Sequence, residues 1–319
     1  MQVFRAFTFR ARRHLSQYNP ASAFAPVSDS MLVALSKQHA IGGASSHSEL
    51  VKQLESSGLL CSTAVRAAFA AIDRAKLVPP GLEDPRIIYD NRAIRYGPAG
   101  SLCSPSMQVI VLEHLSSAIG DGKRALDIGT GTGAMAILMA EMGAIVDAID
   151  IDPDAIASAS ERHKHARINW RQQDAFEMDV GEYDCIHVGA CVDFVPDSWL
   201  HLLKVGGTMS VPIGRPDCEQ TLIKLTKTAD LLDGRHIILR NAIQACKYEP
   251  MRSRSTISNM QAQSAHNHVD VKQELQDWYK AFTSRLGRKP NLNDMKSDER
   301  VSDLLAQYRK QSKPRRFTV

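Results

Sequence analysis

What this chain lacks narrows its class first. Its six cysteines (Cys61, Cys103, Cys185, Cys191, Cys218 and Cys246) include no C-x-x-C pair. That argues against a zinc knuckle and a thioredoxin-type redox site, and it suits a reducing compartment. No run approaches the roughly 18 apolar residues that a membrane-spanning helix needs, so no membrane insertion is expected. No secretory-type apolar core opens the chain, and no acid precedes Asp29. At 44% apolar and 23% charged residues, the composition is that of an ordinary globular protein. Collagen, wholesale disorder and low-complexity fibre are excluded. The 319 residues allow one large domain with tails or two small ones, at roughly 100–200 residues per domain.

A net charge of +4 conceals three blocks. Residues 1–48 hold five Lys/Arg against one acid, residues 49–250 twenty against twenty-seven, and residues 251–319 fourteen against seven. An acidic body between two basic ends implies a globular domain whose ends do something else. The opening MQVFRAFTFRARRHLSQYNP carries Arg5, Arg10, Arg12 and Arg13, with Val3, Phe4, Phe7, Ala11 and Leu15 near helical spacing. A cationic amphipathic helix is the physical signature of a mitochondrial presequence. Mitochondrial localisation is therefore the expectation, with a basic arm on a cytoplasmic protein as the alternative. The C-terminal KPRRF reads as a solvated tail, so nucleic acid is not an expected partner.

Periodicity organises the middle. Residues 47–77 read as two helices, one carrying Leu50, Leu54 and Leu59–Leu60, the other Val65, Phe69 and Ile72. Residues 79–104 are rich in Pro and Gly and read as loops with short strands. Residues 106–119 form a helix whose apolar side is Met107, Ile110, Val111, Leu112 and Leu115. From residue 124 the pattern alternates: strand RALDIG, helix GAMAILMAEMG, strand AIVDAIDID, helix DAIASASERHKH, strand INWRQQD, strand YDCIHVGA, helix SWLHLLKVGG and strand TMSVPIG. TLIKLTKT and AIQACKYEP close the series and are expected to pair as an antiparallel edge. Such alternation implies a mostly parallel, doubly wound α/β sheet. Residues 253–270 read as a polar linker. Residues 271–319 regain helical spacing through Val271, Leu275, Trp278 and Phe282, then Val301, Leu304, Leu305 and Tyr308. Two such short helices need a partner surface, either this protein's own core or another protein.

The chemistry gathers at Asp127-Ile128-Gly129-Thr130-Gly131-Thr132-Gly133, between a strand and a helix. Glycines there allow a tight turn and close approach of a ligand. With Ala134 the run also satisfies a dinucleotide pattern. Asp150 closes the second strand, 21 residues after Gly129, where a carboxylate can accept both ribose hydroxyls. Asp127 suits a ligand with an ammonium group and repels a pyrophosphate. Asp174 ends the third strand, where it or its neighbours can meet an adenine edge. The later LLKVGGTMSVPIG is common in S-adenosylmethionine-dependent methyltransferases. S-adenosylmethionine is therefore the expected cofactor, ahead of a dinucleotide. No metal site is expected: His187, between Cys185 and Cys191, reads as a buried, hydrogen-bonded histidine.

Those segments resemble the protein-L-isoaspartate (D-aspartate) O-methyltransferase family. GGASSHSELVKQLESSGLL is similar to its start, AFAAIDRAKLVP and IRYGPAGSLCSPSM to its helix and substrate loop, and ALDIGTGTG, AIDID, YDCIHVGA, LKVGGTMSVPIG and KYEPM to its core. The resemblance, over about residues 42–252, implies a Rossmann-like class I methyltransferase fold with N-terminal helices, to which the helical spacing after residue 271 adds a C-terminal helical extension. Together with charge and periodicity it divides the chain into 1–41 (targeting or disordered), a methyltransferase domain over 42–252, linker 253–270 and extension 271–319. It also implies a protein-repair function, in which methyl passes from S-adenosylmethionine to the free carboxylate of L-isoaspartyl residues. Cys103 and Ser104 are the implied catalytic candidates. Cofactor contacts are expected from Ser101, Leu102, Cys103, Ser104, Gln108, Asp127, Gly129, Thr130, Gly131, Gly133, Asp150, Ile151, Asp174 and Ala175.

The substrate loop departs from the family's usual T-I-S-A-P-H-M, reading S-L-C-S-P-S-M here. The family's functional serine falls on Cys103, its two histidines on Ser106 and Gln108, and its later threonine on Arg252. Two extra residues lie within Pro98–Gly100. The alternatives are a non-catalytic adaptor or assembly factor that keeps the fold, with residues 271–319 binding a protein partner, and a methyltransferase for another substrate such as organellar RNA.

Overall fold

The computed structural model describes residues 38, 41–78, 81–96, 100–232, 234–254, 275–284, 288–291, 294–295, 298, 301 and 305. The expectations for residues 1–37, for most of the linker and for parts of the extension lie outside them.

Two helices open the described chain, α1 (His47–Ser56) and α2 (Thr63–Ala71). Ser46 caps α1 by accepting from the Glu49 N–H, and Glu49 reaches back to the Ser45 N–H at 2.8 Å. This reciprocal pair starts the helix where the backbone has free donors. A short turn, α3 (Pro85–Ile88), leads to a hairpin of β1 (Ile94–Tyr96) and β2 (Gly100–Leu102). Helix α4 (Pro105–Leu115) is followed by a 3-10 turn at Ser116–Ala118. Then come β3 (Arg124–Ile128), α5 (Ala134–Glu141), β4 (Ile145–Asp150), α6 (Pro153–Arg162), β5 (Ile168–Gln172) and β6 (Tyr183–Val188). Helix α7 (Asp197–Leu202), β7 (Leu203–Ile213), β8 (Gln220–Asp230) and β9 (His236–Cys246) complete the body.

The seven-stranded sheet has the order β5-β4-β3-β6-β7-β8-β9. Strands β3 to β7 run parallel; β8 is antiparallel to both β7 and β9. Side-chain alternation explains how one strand serves two cores. On β3, Ala125 joins the cluster made with α1, α2, α4 and α5, including Leu50, Leu54, Val65, Phe69, Leu112 and Leu138. Leu126 and Ile128 face the other way, into a cluster built on Trp199, Ile186, Met209 and Val211. Helix α5 is buried from Ala134 to Ala140, so its sequence is apolar all round rather than striped.

Two expected elements have different bounds. The helix expected over SWLHLLKVGG stops at Leu202, and KVGG belongs to β7. Gly206 has φ +85°, and the β6–β7 register shifts between Tyr183 and Cys185, so these glycines make an irregular strand start rather than a helix stop. The last strand begins at His236, and Lys247 to Pro250 lie beyond it. Its first half is an exposed edge (Leu239 is 58% exposed), which weakens the apolar signal. In the extension, residues 275–284 are helical, Phe282 and Val301 are buried, and the Trp278 indole donates to Asp298 at 2.9 Å. Among the described residues, no helix is long and apolar enough to cross a membrane.

Candidate active site

Strand order reverses between β3 and β6, and ligands of open α/β sheets bind at such a switch point, beyond the strands' carboxyl ends. A cleft of about 280 Å³ lies there, with Gly129 and Gly131 on one side and Gly189 and Ala190 on the other. Gly129, Gly131 and Gly133 have φ of +70°, +54° and +83°, conformations open to glycine and strained for other residues. The Gly129 and Thr130 N–H groups donate to the Ile149 carbonyl, at 2.9 and 3.0 Å, which ties the turn to the end of β4. Gly131 N–H donates to Asp150 Oδ2 (2.9 Å), and Asp152 N–H to Asp150 Oδ1 (3.0 Å). Burial raises the Asp150 carboxyl above its ordinary range, against those two hydrogen bonds.

Of the expected site residues, Ser101, Gly129, Gly131, Asp150, Ile151 and Ala175 line this cleft. The others stand behind it. Asp127 is fully buried; its Oδ2 accepts from Thr130 Oγ1 (2.6 Å) and its Oδ1 meets His187 Nδ1 (2.6 Å). Asp127, Thr130 and His187 thus brace the turn from beneath. Gly133 starts α5, and a Cβ there would lie 2.6 Å from the Trp170 ring. Asp174 accepts from the Phe176 and Arg254 N–H groups, at 2.9 and 2.7 Å. Leu102 is buried with Leu77, Ile88, Ile94 and Ile137.

Beyond Ser101, the loop's polar residues are committed inside the protein. The Cys103 thiol is raised by burial and hydrogen-bonds the buried Tyr248 side chain. Ser104 caps α4 by accepting from the Met107 N–H. Ser106 and Gln108 are each 1% exposed. Gln108 Oε1 accepts from Arg74 Nη1 at 2.9 Å, so it stands in the core rather than in the cleft.

Four features gain a role only in the fold. Arg74 is 1% exposed and, among the described residues, bonds no carboxylate: its other donors reach the carbonyls of Ile88 (2.8 Å), Arg92 (3.2 Å) and Cys103 (3.1 Å). Burial holds its guanidinium down to about 10. It staples the loop before α4 to the segment before β1. The Tyr96 phenol, raised by burial and by Asp150, lies over the turn; a Cβ on Gly131 would sit 2.2 Å from its oxygen. Arg162 and the segment Glu249–Arg252 complete the lining. No local pattern gives any of them its role, because long-range packing brings them together; the segments read for the family resemblance contained Arg74 (AFAAIDRAKLVP), Tyr96 (IRYGPAGSLCSPSM) and Glu249–Met251 (KYEPM), and Arg252 was the position of the family's threonine.

Known proteins resemble the chain as follows. The family model described as Protein-L-isoaspartate(D-aspartate) O-methyltransferase matches residues 45–256. A protein-L-isoaspartate O-methyltransferase of Triticum aestivum is 29% identical over 228 residues, covering 67% of this chain and 94% of that protein. One of Caenorhabditis elegans is 25% identical over 224 residues, covering 66% and 94%. A Plasmodium falciparum protein-L-isoaspartate O-methyltransferase structure, in complex with S-adenosyl-L-homocysteine, superposes with a TM-score of 0.57. It shares 20% identity and covers 66% of this chain and 99% of that one; at that identity the likeness speaks for the fold, a class I methyltransferase sheet.

Proposed function

The chain belongs to the protein-L-isoaspartate (D-aspartate) O-methyltransferase family, and from that premise we propose that its cleft methylates the free carboxylate of L-isoaspartyl residues, with S-adenosylmethionine as donor, in protein repair. The observation that carries the reading is the pairing of the glycine turn with Asp150 at the switch point of the sheet. The residues present fit this cofactor. The turn has no side chain where Gly129 and Gly131 line the cleft. Asp150 keeps lone pairs beyond the two N–H bonds it accepts, enough to take ribose hydroxyls. Asp150, Asp152, Asp154 and Glu249 outnumber Arg162 and Arg252 in the lining, which favours a ligand carrying ammonium and sulfonium charge.

When bound, S-adenosylmethionine supplies an electrophilic methyl group. Gly129, Gly131, Asp150, Ile151 and Ala175, which line the cleft, would hold it. The β1–β2 hairpin, through Tyr96 and Ser101, covers the turn, and Glu249–Arg252 close the opposite side. The acceptor carboxylate is already ionised near pH 7, so this chain needs no general base. Its contribution is orientation, which can reach roughly 7–11 kcal/mol. Cys103 and Ser104 act through the backbone they shape, since both side chains are spent on internal bonds.

The test is radiolabelled methyl transfer to paired isoaspartyl and aspartyl peptides. Incorporation confined to the isoaspartyl member is expected; a chain that binds the cofactor yet labels neither peptide overturns the reading. Mitochondrial residence stands on the basic, acid-free opening of the sequence. Loss of organellar import on deleting residues 1–41 is the outcome expected.

A further inference from the structure

The isoaspartyl reading, on which this inference rests, raises a problem of charge. The substrate brings a carboxylate into a cleft lined by Asp150, Asp152, Asp154 and Glu249. Like charges repel, so a cation among the lining residues, beside the sulfonium of the donor, favours its entry. Two cations share the lining, Arg162 and Arg252. Arg162 is spent on the protein: its Nε, Nη1 and Nη2 donate to the carbonyls of Ser158 (3.3 Å), Val78 (2.8 Å) and Thr132 (3.4 Å). Glu249 is paired with Arg95 of the hairpin. Arg252 makes only a loose ion pair with Asp152, at 4.0 Å and beyond hydrogen-bonding distance, its charge also acts on Asp150, and its side chain is 26% exposed.

Its backbone, by contrast, is well held. The Cys191 N–H donates to the Glu249 carbonyl (2.8 Å), and the Met251 N–H donates to the Cys191 carbonyl (2.9 Å). Two residues on, the Arg254 N–H donates to Asp174 (2.7 Å). A fixed main chain thus presents a guanidinium fork whose donors are open toward the cleft. Such a fork matches a carboxylate in two parallel hydrogen bonds.

We propose that Arg252 receives the free carboxylate of the isoaspartyl substrate and sets the preference of this cleft for an acid over its ester or amide. The pairing serves binding and is lost once the carboxylate becomes a neutral ester, which assists product release. Arg252 is a substrate-binding residue, not a proton donor.

The experiment uses the full chain loaded with S-adenosylhomocysteine. Calorimetry measures the affinity for an isoaspartyl peptide and for its methyl ester, and steady-state assays give KM and kcat. Wild type is compared with Arg252→Ala, Arg252→Lys and, as a control, Arg86→Ala, an exposed cation paired with Asp84 outside the cleft. In Arg252→Ala, affinity for the acid is expected to fall about tenfold or more, with a matching rise in KM. Ester affinity, S-adenosylhomocysteine affinity and kcat are expected to stay within about twofold. Arg252→Lys restores part of the loss, and the control changes nothing. Equal weakening of acid and ester, or parallel loss of S-adenosylhomocysteine affinity, overturns the assignment. A wild-type chain that methylates no isoaspartyl peptide sinks the reading of the cleft and this inference with it. A methylating wild type beside an Arg252→Ala variant of unchanged KM sinks this inference alone.

Discussion

Asp150→Asn keeps the shape of the side chain and removes its charge. In the native protein both carboxylate oxygens accept backbone N–H groups, from Gly131 at 2.9 Å and Asp152 at 3.0 Å. An amide has one acceptor oxygen, so one of those donors meets an NH2 group instead. An orphaned buried donor costs about 1–3 kcal/mol. Part of this is offset: burial raises the Asp150 carboxyl, so its ionised form already costs stability at neutral pH, and the amide relieves that cost. The expected net is a melting temperature lower by a few degrees, at about 2–4 °C per kcal/mol. Cofactor affinity should fall further. A hydrogen bond to a charged group contributes about 1.5–3 kcal/mol, so its loss weakens binding roughly 10- to 150-fold. Calorimetry with S-adenosylhomocysteine and a parallel melting curve separate the two effects. In wild type, affinity should also fall as pH drops through the raised range of Asp150, because the protonated acid is a poorer acceptor. A variant that melts early yet binds within twofold of wild type would refute the reasoning, leaving Asp150 as a tie for the turn and nothing more.

Other perturbations test the frame. Cys103→Ser should change kcat less than about tenfold, since the thiol engages Tyr248 inside the protein; a hundredfold change in peptide kinetics would put that side chain among the reacting groups. Arg74→Met strands the carbonyls of Ile88, Arg92 and Cys103 and the Gln108 amide. Urea unfolding should show a loss of at least about 3 kcal/mol, and a loss below 1 kcal/mol would refute the staple. At Asp184 partial burial works upward, but the Arg124 N–H, Lys204 and Lys123 outweigh it and bring the carboxyl to about 2, below the ordinary 3.8. A depressed acid contributes stability that is present above the ordinary value and lost as pH falls toward the lowered one. Asp184→Asn should therefore remove about 1 kcal/mol at pH 7, after screening, and flatten the acid limb between pH 4 and 2. An unchanged acid limb would count against the cluster.

Sequence and structure agree best where the signal is local. The β/α alternation from residue 124, the antiparallel pair at the edge and the glycine turn after β3 follow from periodicity and from backbone freedom, which neighbours along the chain decide. They disagree where a local pattern has two outcomes. A glycine pair after apolar residues reads as a helix stop, but Leu203 pairs with Tyr183 across the sheet and makes the same residues a strand. The three acids at strand ends look equivalent in sequence. In the fold Asp150 reaches the cleft, Asp127 turns inward to His187, and Asp174 caps a turn and holds Arg254.

The residues alone therefore determined the alternating strands and helices, the glycine turn and the cofactor class, because hydrophobic period and glycine spacing act within a few positions of themselves; the strand order that makes the switch point belongs to the fold. Only the tertiary structure decided which polar groups face the ligand. Arg74, Tyr96, Arg162 and Arg252 lie far apart in the chain, and what each of them can do depends on partners 14 to 100 positions away. The roles of Arg74 and Arg162 are set when burial makes their donors find carbonyls, and that of Arg252 by the fold that brings it to the cleft; no short-range pattern records either outcome.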